Sequence, residues 1–279
     1  MVVLGYPHMG AAKPGVHART SLPAIGSRNM DLGIDGRVAL VTGASKGMGR
    51  AIAAELVAEG ARVAVSSSSR ERIEATAAEI GATPYVHDTN NLFAVPALLE
   101  GIEHELGAGI DILVLNTGGP PPGPDPLGFT REQWEAAYRE LVLGPMALLE
   151  HALPGMRERG FGRIVSVSST SVREPIPPLM LSNSHRPALL GALKTIARAV
   201  AGDGVTINSV LPGRIATDRT ASNFGSLENA EAVARETVPA GRLGTVEEFA
   251  AVATFLCSAR ASYVTGTAVL VDGGLTQSL

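Results

Sequence analysis

Thr42-Gly43-Ala44-Ser45-Lys46-Gly47-Met48-Gly49-Arg50 follows directly on the apolar run Val38-Ala39-Leu40-Val41 and leads into Ile52, Leu56 and Val57, spaced as on one face of a helix. A strand, a glycine turn and a helix in that order place backbone N–H groups and a helix start where a pyrophosphate can be met. The glycines let the chain turn sharply and come close to that group. Their Gly-xxx-Gly-x-Gly spacing departs from Gly-x-Gly-x-x-Gly and from the P-loop, where Lys follows the second Gly. Alone, such a turn is equally a tight strand-to-helix connection. Its place after a first buried strand makes Gly43, Ser45, Lys46, Gly47, Met48 and Gly49 the first candidate cofactor contacts.

Outward from this turn, short apolar runs alternate with helical stretches. Val63-Ala64-Val65, Ile112-Leu113-Val114-Leu115, Ile164-Val165-Ser166-Val167, Val205-Thr206-Ile207-Asn208 and Val269-Leu270-Val271 read as strands buried on both faces, with Tyr85-Val86 a weaker seventh. Between them Leu98, Leu99 and Ile102, then Leu148, Leu149, Leu153 and Met156, keep helical spacing. The alternation predicts an α/β fold: a Rossmann-type, doubly wound parallel sheet of about seven strands in one domain over 34–279. Residues 1–33, rich in Gly, Pro and Ala without a period, read as a flexible extension.

The 279 residues are 45% hydrophobic, enough for a continuous core, and the net charge of −4 speaks against a nucleic-acid partner. The single cysteine, Cys257, rules out an internal disulfide, and no Cys/His cluster has metal-ligand spacing. With neither a signal peptide nor a membrane span in view, a cytoplasmic protein without membrane or metal is expected.

In doubly wound sheets an acidic residue at the end of the second strand holds the ribose of NAD. Here Ser66-Ser67-Ser68-Ser69-Arg70 stands there instead. Ser67, Ser68 and Ser69 offer hydroxyls, and Lys46 and Arg70 positive charge, to a 2′-phosphate; NADP(H) is expected over NAD(H).

Thr42 to Gly49 resembles the Thr-Gly-xxx-Gly-x-Gly loop of the short-chain dehydrogenase/reductase family, and the resemblance runs from about residue 35 to the C-terminus. It implies that Asp88 and Thr89 contact the adenine, that Asn116-Thr117-Gly118 stands for the family's Asn-Ala-Gly, and that Pro212, Gly213, Ile215 and Thr217 grip the nicotinamide carboxamide. Val269 to Gly274 resembles the closing strand. The family transfers hydride with a Tyr acid, a Lys four residues on, a Ser and an earlier Asn. Ser169 matches the Ser, but the Tyr position falls at Ser182, the Lys position at Arg186 and the Asn position near Leu141.

These replacements carry chemical meaning. A serine hydroxyl is a far weaker acid than a phenol, whose reference pKa is about 10, and an Arg holds charge without relaying protons near neutrality. Asn116 to Pro124 and Leu181-Ser182-Asn183-Ser184-His185-Arg186 resemble a divergent, ketoacyl-reductase-like subgroup, with aromatic polyketide reductases such as the angucyclinone ketoreductases of simocyclinone-type pathways among its relatives. Two readings follow. In one, the chain is an NADPH-dependent ketoreductase of a bulky carbonyl substrate, with Ser169 and Ser182 as catalytic hydrogen-bond positioners, Arg186 toward the cofactor, and the substrate supplying its own proton. In the other, it is a non-catalytic NADP(H)-binding sensor or assembly protein. His185 reads as a surface or core residue.

Pro120 to Pro126 predicts a stiff loop at the substrate mouth, and about 216–242 a helical lid with Phe224 and Leu227 as apolar contacts. Continuous helices are expected over about 131–159 and 183–200. In the family this pair forms homodimers and homotetramers.

Overall fold

The computed structural model describes residues 30–279, so the expected N-terminal extension lies outside the described residues as far as position 29. Seven strands build one sheet: β1 (Val38–Val41), β2 (Arg62–Ser67), β3 (Thr83–Val86), β4 (Ile112–Leu115), β5 (Gly162–Val167), β6 (Val205–Pro212) and β7 (Ala268–Val271). All are parallel, in the order β3-β2-β1-β4-β5-β6-β7. The order reverses between β1 and β4, and a crevice opens there at the carboxyl ends of the strands.

The connecting helices are α1 (Gly47–Ala58), α2 (Arg70–Ile80), α3 (Val95–Leu106), α4 (Arg131–Tyr138), α5 (Gly144–Glu158), α6 (Met180–Val200), α7 (Asp218–Phe224), α8 (Leu227–Thr237) and α9 (Val246–Leu256). Side chains of a strand alternate between faces, and the two cores divide them accordingly. Ala39 and Val41 of β1, with Ile112 and Val114 of β4, pack with Ile52 and Leu56 of α1 and Phe249 of α9. Val38, Leu40, Leu113 and Leu115 point the other way, to Ile102 of α3, Leu148 of α5 and Leu193 of α6. Apolar residues at every position of β1 and β4 are what burial on both faces demands. The edge strand β3 is only half covered, and its alternating exposure explains its weak signal. Residues 32–279 form one compact unit.

The stretch 131–159, expected from its period to be one continuous helix, is broken. A π-helical segment over Arg139–Leu143 separates α4 from α5. Pro145 has no N–H to give the carbonyl four residues earlier, and Gly144 sits so close that a Cβ there would lie 2.5 Å from Thr89 Cγ2. The widened turn accommodates both. The second expected helix starts three residues early, at Met180.

Candidate active site

The crevice rests on a clasp between two strand ends. Thr42 Oγ1 donates to the Asn116 carbonyl (2.9 Å) and accepts from the Asn116 N–H (3.0 Å), while Asn116 Nδ2 donates to the Gly43 carbonyl (2.9 Å). The glycines of the turn are held to that identity by space. Gly43 has φ +57°, and a Cβ on it would fall 2.6 Å from the Asn116 carbonyl oxygen; one on Gly49 would fall 2.6 Å from Asn116 Nδ2. Lys46, the N-cap of α1, makes no side-chain cap, and the first turn holds no acidic residue. The opening N–H groups of a twelve-residue helix therefore face the crevice with neither a side-chain cap nor a first-turn carboxylate.

This crevice is a cavity of about 390 Å³, and Gly43, Ser45, Lys46, Gly47 and Met48 line it at the turn. Gly49 lies beneath, packed on Asn116. At one end it is lined by Ser67 and Ser68 from β2 and by Asp88 and Thr89 after β3. Ser69 and Arg70 are not in the lining: Ser69 Oγ caps α2 through the Arg72 N–H, and Arg70 pairs with Glu74 at 3.0 Å on an exposed helix face. Arg70 therefore brings no charge to the crevice; Lys46 does line it, with its Nζ 3.1 Å from Asp218 of α7. His87, absent from the sequence reading, also lines this end; it is buried, and burial lowers its pKa below the ordinary histidine value.

Asn116, Thr117 and Gly118 line the middle, and Thr217 closes the far side as N-cap of α7, its Oγ1 accepting from the Thr220 N–H. A donor-rich turn that excludes Cβ atoms, an open helix start and a hydroxyl-lined far wall fit a dinucleotide. Pro212 and Gly213 lie behind it at the end of β6, Gly213 so tight against Asp272 that a Cβ would sit 2.5 Å from Asp272 Cβ. Ile215 is buried and lines a separate cavity of about 350 Å³ with Arg214 and Asp272. Among the described residues no cluster of His, Cys, Asp and Glu is built to hold a metal, and no helix is long and apolar enough to cross a membrane.

Beside the crevice stand the residues expected at the family's Tyr, Lys and Ser positions. Ser182 and Arg186 lie one turn apart on α6, and Arg186 Nε donates to Ser182 Oγ at 3.0 Å while its Nη1 donates to the Val167 carbonyl at 3.1 Å. Ser169 follows β5, and its Oγ accepts from the Ser171 N–H at 3.1 Å. Ser171 Oγ stands 3.5 Å from Ser182 Oγ. Leu141, at the Asn position, points into the core. Each residue of 181–186 has work of its own. Asn183 clamps the backbone of Ile176 through both side-chain atoms, Ser184 bonds carbonyls of its own helix, and buried His185 stacks near Trp134 and Tyr138 with Nδ1 2.7 Å from the Leu181 carbonyl. His185 is committed to packing against α4, as a core role requires.

Two further charged residues enter from elements the sequence reading did not connect. Glu140, turned inward by the π-helical segment, lines the crevice and accepts from the Gly119 N–H at 2.8 Å. Arg219 of α7 donates to the carbonyls of Gly119 and Pro120 at 3.1 and 2.9 Å. Desolvation, and secondarily Arg219, push the Arg186 guanidinium down to about 10, against the opposing effect of Glu140. It is a cation throughout the neutral range.

Comparison with known proteins agrees with this architecture. The family model described as enoyl-(acyl carrier protein) reductase matches residues 43–276. The chain is 34% identical over 261 residues to a 3-oxoacyl-[acyl-carrier-protein] reductase FabG of Aquifex aeolicus, covering 88% of this chain and all of that one. It is 34% identical over 254 residues to the human dehydrogenase/reductase SDR family member 4, covering 87% and 88%. Among solved structures it resembles YwfH, an NADPH-dependent reductase involved in bacilysin biosynthesis (TM-score 0.81, 29% identity, 87% and 99% covered). It also resembles the L-sorbose reductase of Gluconobacter frateurii complexed with NADPH and L-sorbose (TM-score 0.81, 31% identity, 90% and 100% covered).

Proposed function

The chain belongs to the short-chain dehydrogenase/reductase family, and from that premise we propose that it is an NADPH-dependent ketoreductase working without the family's Tyr-Lys pair. Its relatives are oxidoreductases that act on carbonyl or alcohol groups, and this chain is one of them in kind. Bound NADPH supplies the hydride. Gly43 to Met48 and the start of α1 would hold its pyrophosphate, Ser67, Ser68 and Lys46 its 2′-phosphate end, and Asp88 and Thr89 its adenine. Asn116, Gly118 and Thr217 would stand on the nicotinamide side with Pro212 and Gly213 behind them, whereas Ile215, expected there, lines the separate cavity.

One observation carries the catalytic reading: both candidate hydroxyls already accept a hydrogen bond from a group that can only donate. Arg186 Nε serves Ser182 and the Ser171 N–H serves Ser169, so each hydroxyl's own hydrogen is left to go to another acceptor, which for Ser182 includes Ser171 Oγ at 3.5 Å. Aimed at a ketone oxygen, Ser169 and Ser182 act as paired donors to the charge that develops as the C=O π electrons move onto oxygen. Arg186, directly behind Ser182, adds a fixed positive charge. Neither serine is acidic enough to give up its proton, so the alkoxide takes it from elsewhere, and a ketone with a neighbouring phenolic hydroxyl carries that proton itself. Positioning is worth about 7–11 kcal/mol and a general acid only about 10²–10⁴-fold, so the arrangement is workable without a Tyr. The stiff loop at 120–126 and the helices α7 and α8 as a lid favour a bulky, mostly apolar, aromatic polyketide-like ketone.

The test is NADPH oxidation against cyclic ketones paired with analogues bearing an adjacent phenolic hydroxyl. Turnover confined to the hydroxylated partners is expected. Equal turnover of both sinks substrate-supplied protonation and points to an acid of the protein. Tight NADPH binding with no turnover of any ketone favours the sensor reading.

A further inference from the structure

Arg186 and Arg219 come from helices far apart in sequence yet flank one residue. A Cβ on Gly119 would lie 2.9 Å from Arg186 Nη2 and 3.4 and 3.5 Å from Arg219 Nη1 and Nη2. Gly119 has φ +73°, so the position is closed to side chains on two counts and the two guanidiniums meet over bare backbone. The acidic groups facing them are accounted for. Glu140 is the carboxylate whose field reaches both arginines, and one of its oxygens is taken by the Gly119 N–H. Asp218, next to Arg219, pairs with Lys46 at 3.1 Å. Two cations therefore share one carboxylate. Arg219 spends its N–H groups on two neutral carbonyls, partners that a cation exchanges readily for an anion.

We propose that Arg186 and Arg219, converging over Gly119 beside Ser182, bind a carboxylate of the substrate, so that the ketone reduced here is an oxo acid. This inference rests on the ketoreductase reading and narrows it. The glycine turn and the open start of α1 are given to the cofactor's phosphates; Arg219, held to the carbonyls of Gly119 and Pro120, lines the same crevice on its Gly118 side and there meets Arg186, which is bonded to Ser182. Arg186, with Nε and Nη1 given to Ser182 and the Val167 carbonyl, offers its Nη2, and Arg219 offers the Nη atoms it now spends on carbonyls, so that the two guanidiniums together hold the carboxylate. Bound there, the carboxylate fixes how the neighbouring carbonyl presents itself to Ser169 and Ser182.

The experiment compares a 3-oxo acid whose ketone carries an adjacent phenolic hydroxyl, a 3-(2-hydroxyphenyl)-3-oxo acid, with its methyl ester as substrates for the full chain, and a non-reducible arylcarboxylate with its amide as ligands of the NADP⁺ complex by calorimetry. The acid is expected to exceed the ester at least tenfold in kcat/KM, and the arylcarboxylate to bind at least tenfold tighter than the amide. Arg219→Gln should bring both ratios toward one, and Arg219→Lys should restore part of each. Equal binding of arylcarboxylate and amide overturns the proposal, as does an Arg219→Gln variant that loses acid and ester activity in equal measure, since that is a tie on the 119–120 loop and no more. If the arylcarboxylate is preferred but no ketone is reduced, the anion site stands and the ketoreductase reading fails.

Discussion

Ser182→Ala removes one of two donors to the developing alkoxide and strips Arg186 Nε of its 3.0 Å acceptor in a desolvated setting. Loss of such a donor costs about 10²–10³ in kcat, so a fall of that size with NADPH affinity nearly unchanged is expected from stopped-flow turnover and fluorescence titration. A loss under about threefold would remove Ser182 from the reaction. The same site sets the pH dependence. On the proposed mechanism, which uses no Tyr acid, kcat/KM should run flat from about pH 7 to about pH 9, burial moving the His87 pKa down and away from that range. Burial lowers the Arg186 pKa to about 10, so its charge is present below that value and lost as pH rises through it, and the rate should fall there. A break near neutrality in the pH–rate profile would reveal a proton donor of the protein. Gly49→Ala tests the cradle: with Asn116 Nδ2 and the Gly43 carbonyl both 2.6 Å from the new Cβ, the turn must open, and NADPH affinity should drop at least tenfold by titration.

At the scale of elements, the π-helical segment decides what faces the crevice. It carries Glu140 into the crevice and Leu141 into the core against α3, α5 and α6. Leu141→Asn, which places an Asn where the family resemblance expects one, should therefore not bring an amide to the crevice. It places an amide in an apolar cluster and deletes buried methyls, at a cost of about 2–4 kcal/mol. For a chain of this size that is about 2–4 °C in Tm per kcal/mol, readable by calorimetry. An unchanged Tm with raised activity would mean the backbone had turned the side chain toward the crevice. These features also mark where sequence reading ends. The apolar runs of β1 and β4 are continuous because both faces are buried, so they were legible; β3 was faint because its edge position leaves one face open. The periodicity of 131–159 hid the break at Pro145, although that proline was the visible cue. Glu140 and Arg219 carry no local signal. Their meaning arises only when the turn at Gly119, the widened helix and α7 meet in space.

At the scale of the whole molecule, the sheet order brings the ends of β1, β2, β3 and β4 and the start of α7 around one crevice, so cofactor binding is linked to the stability of the entire unit. A ligand that binds only the folded chain stabilises it by about 2.7 kcal/mol at one hundred times its Kd. Converted as above, NADPH at that excess should raise Tm by roughly 5–10 °C. The comparison with NADH at the same concentration separates the two cofactors. The hydroxyls of Ser67 and Ser68 stand at the second strand end where NAD-binding sheets place a carboxylate; Lys46 is within the same lining, paired with Asp218 at 3.1 Å, and Asp88 is turned to its own turn through the Asn90 N–H at 3.0 Å. NADH, lacking the 2′-phosphate, forgoes the charge-assisted contacts and should shift Tm by several degrees less. Equal shifts would show that the serines read nothing of the phosphate. Lys46→Ala should narrow the difference between the cofactors if Lys46 supplies that charge, and leave it intact if the hydroxyls suffice.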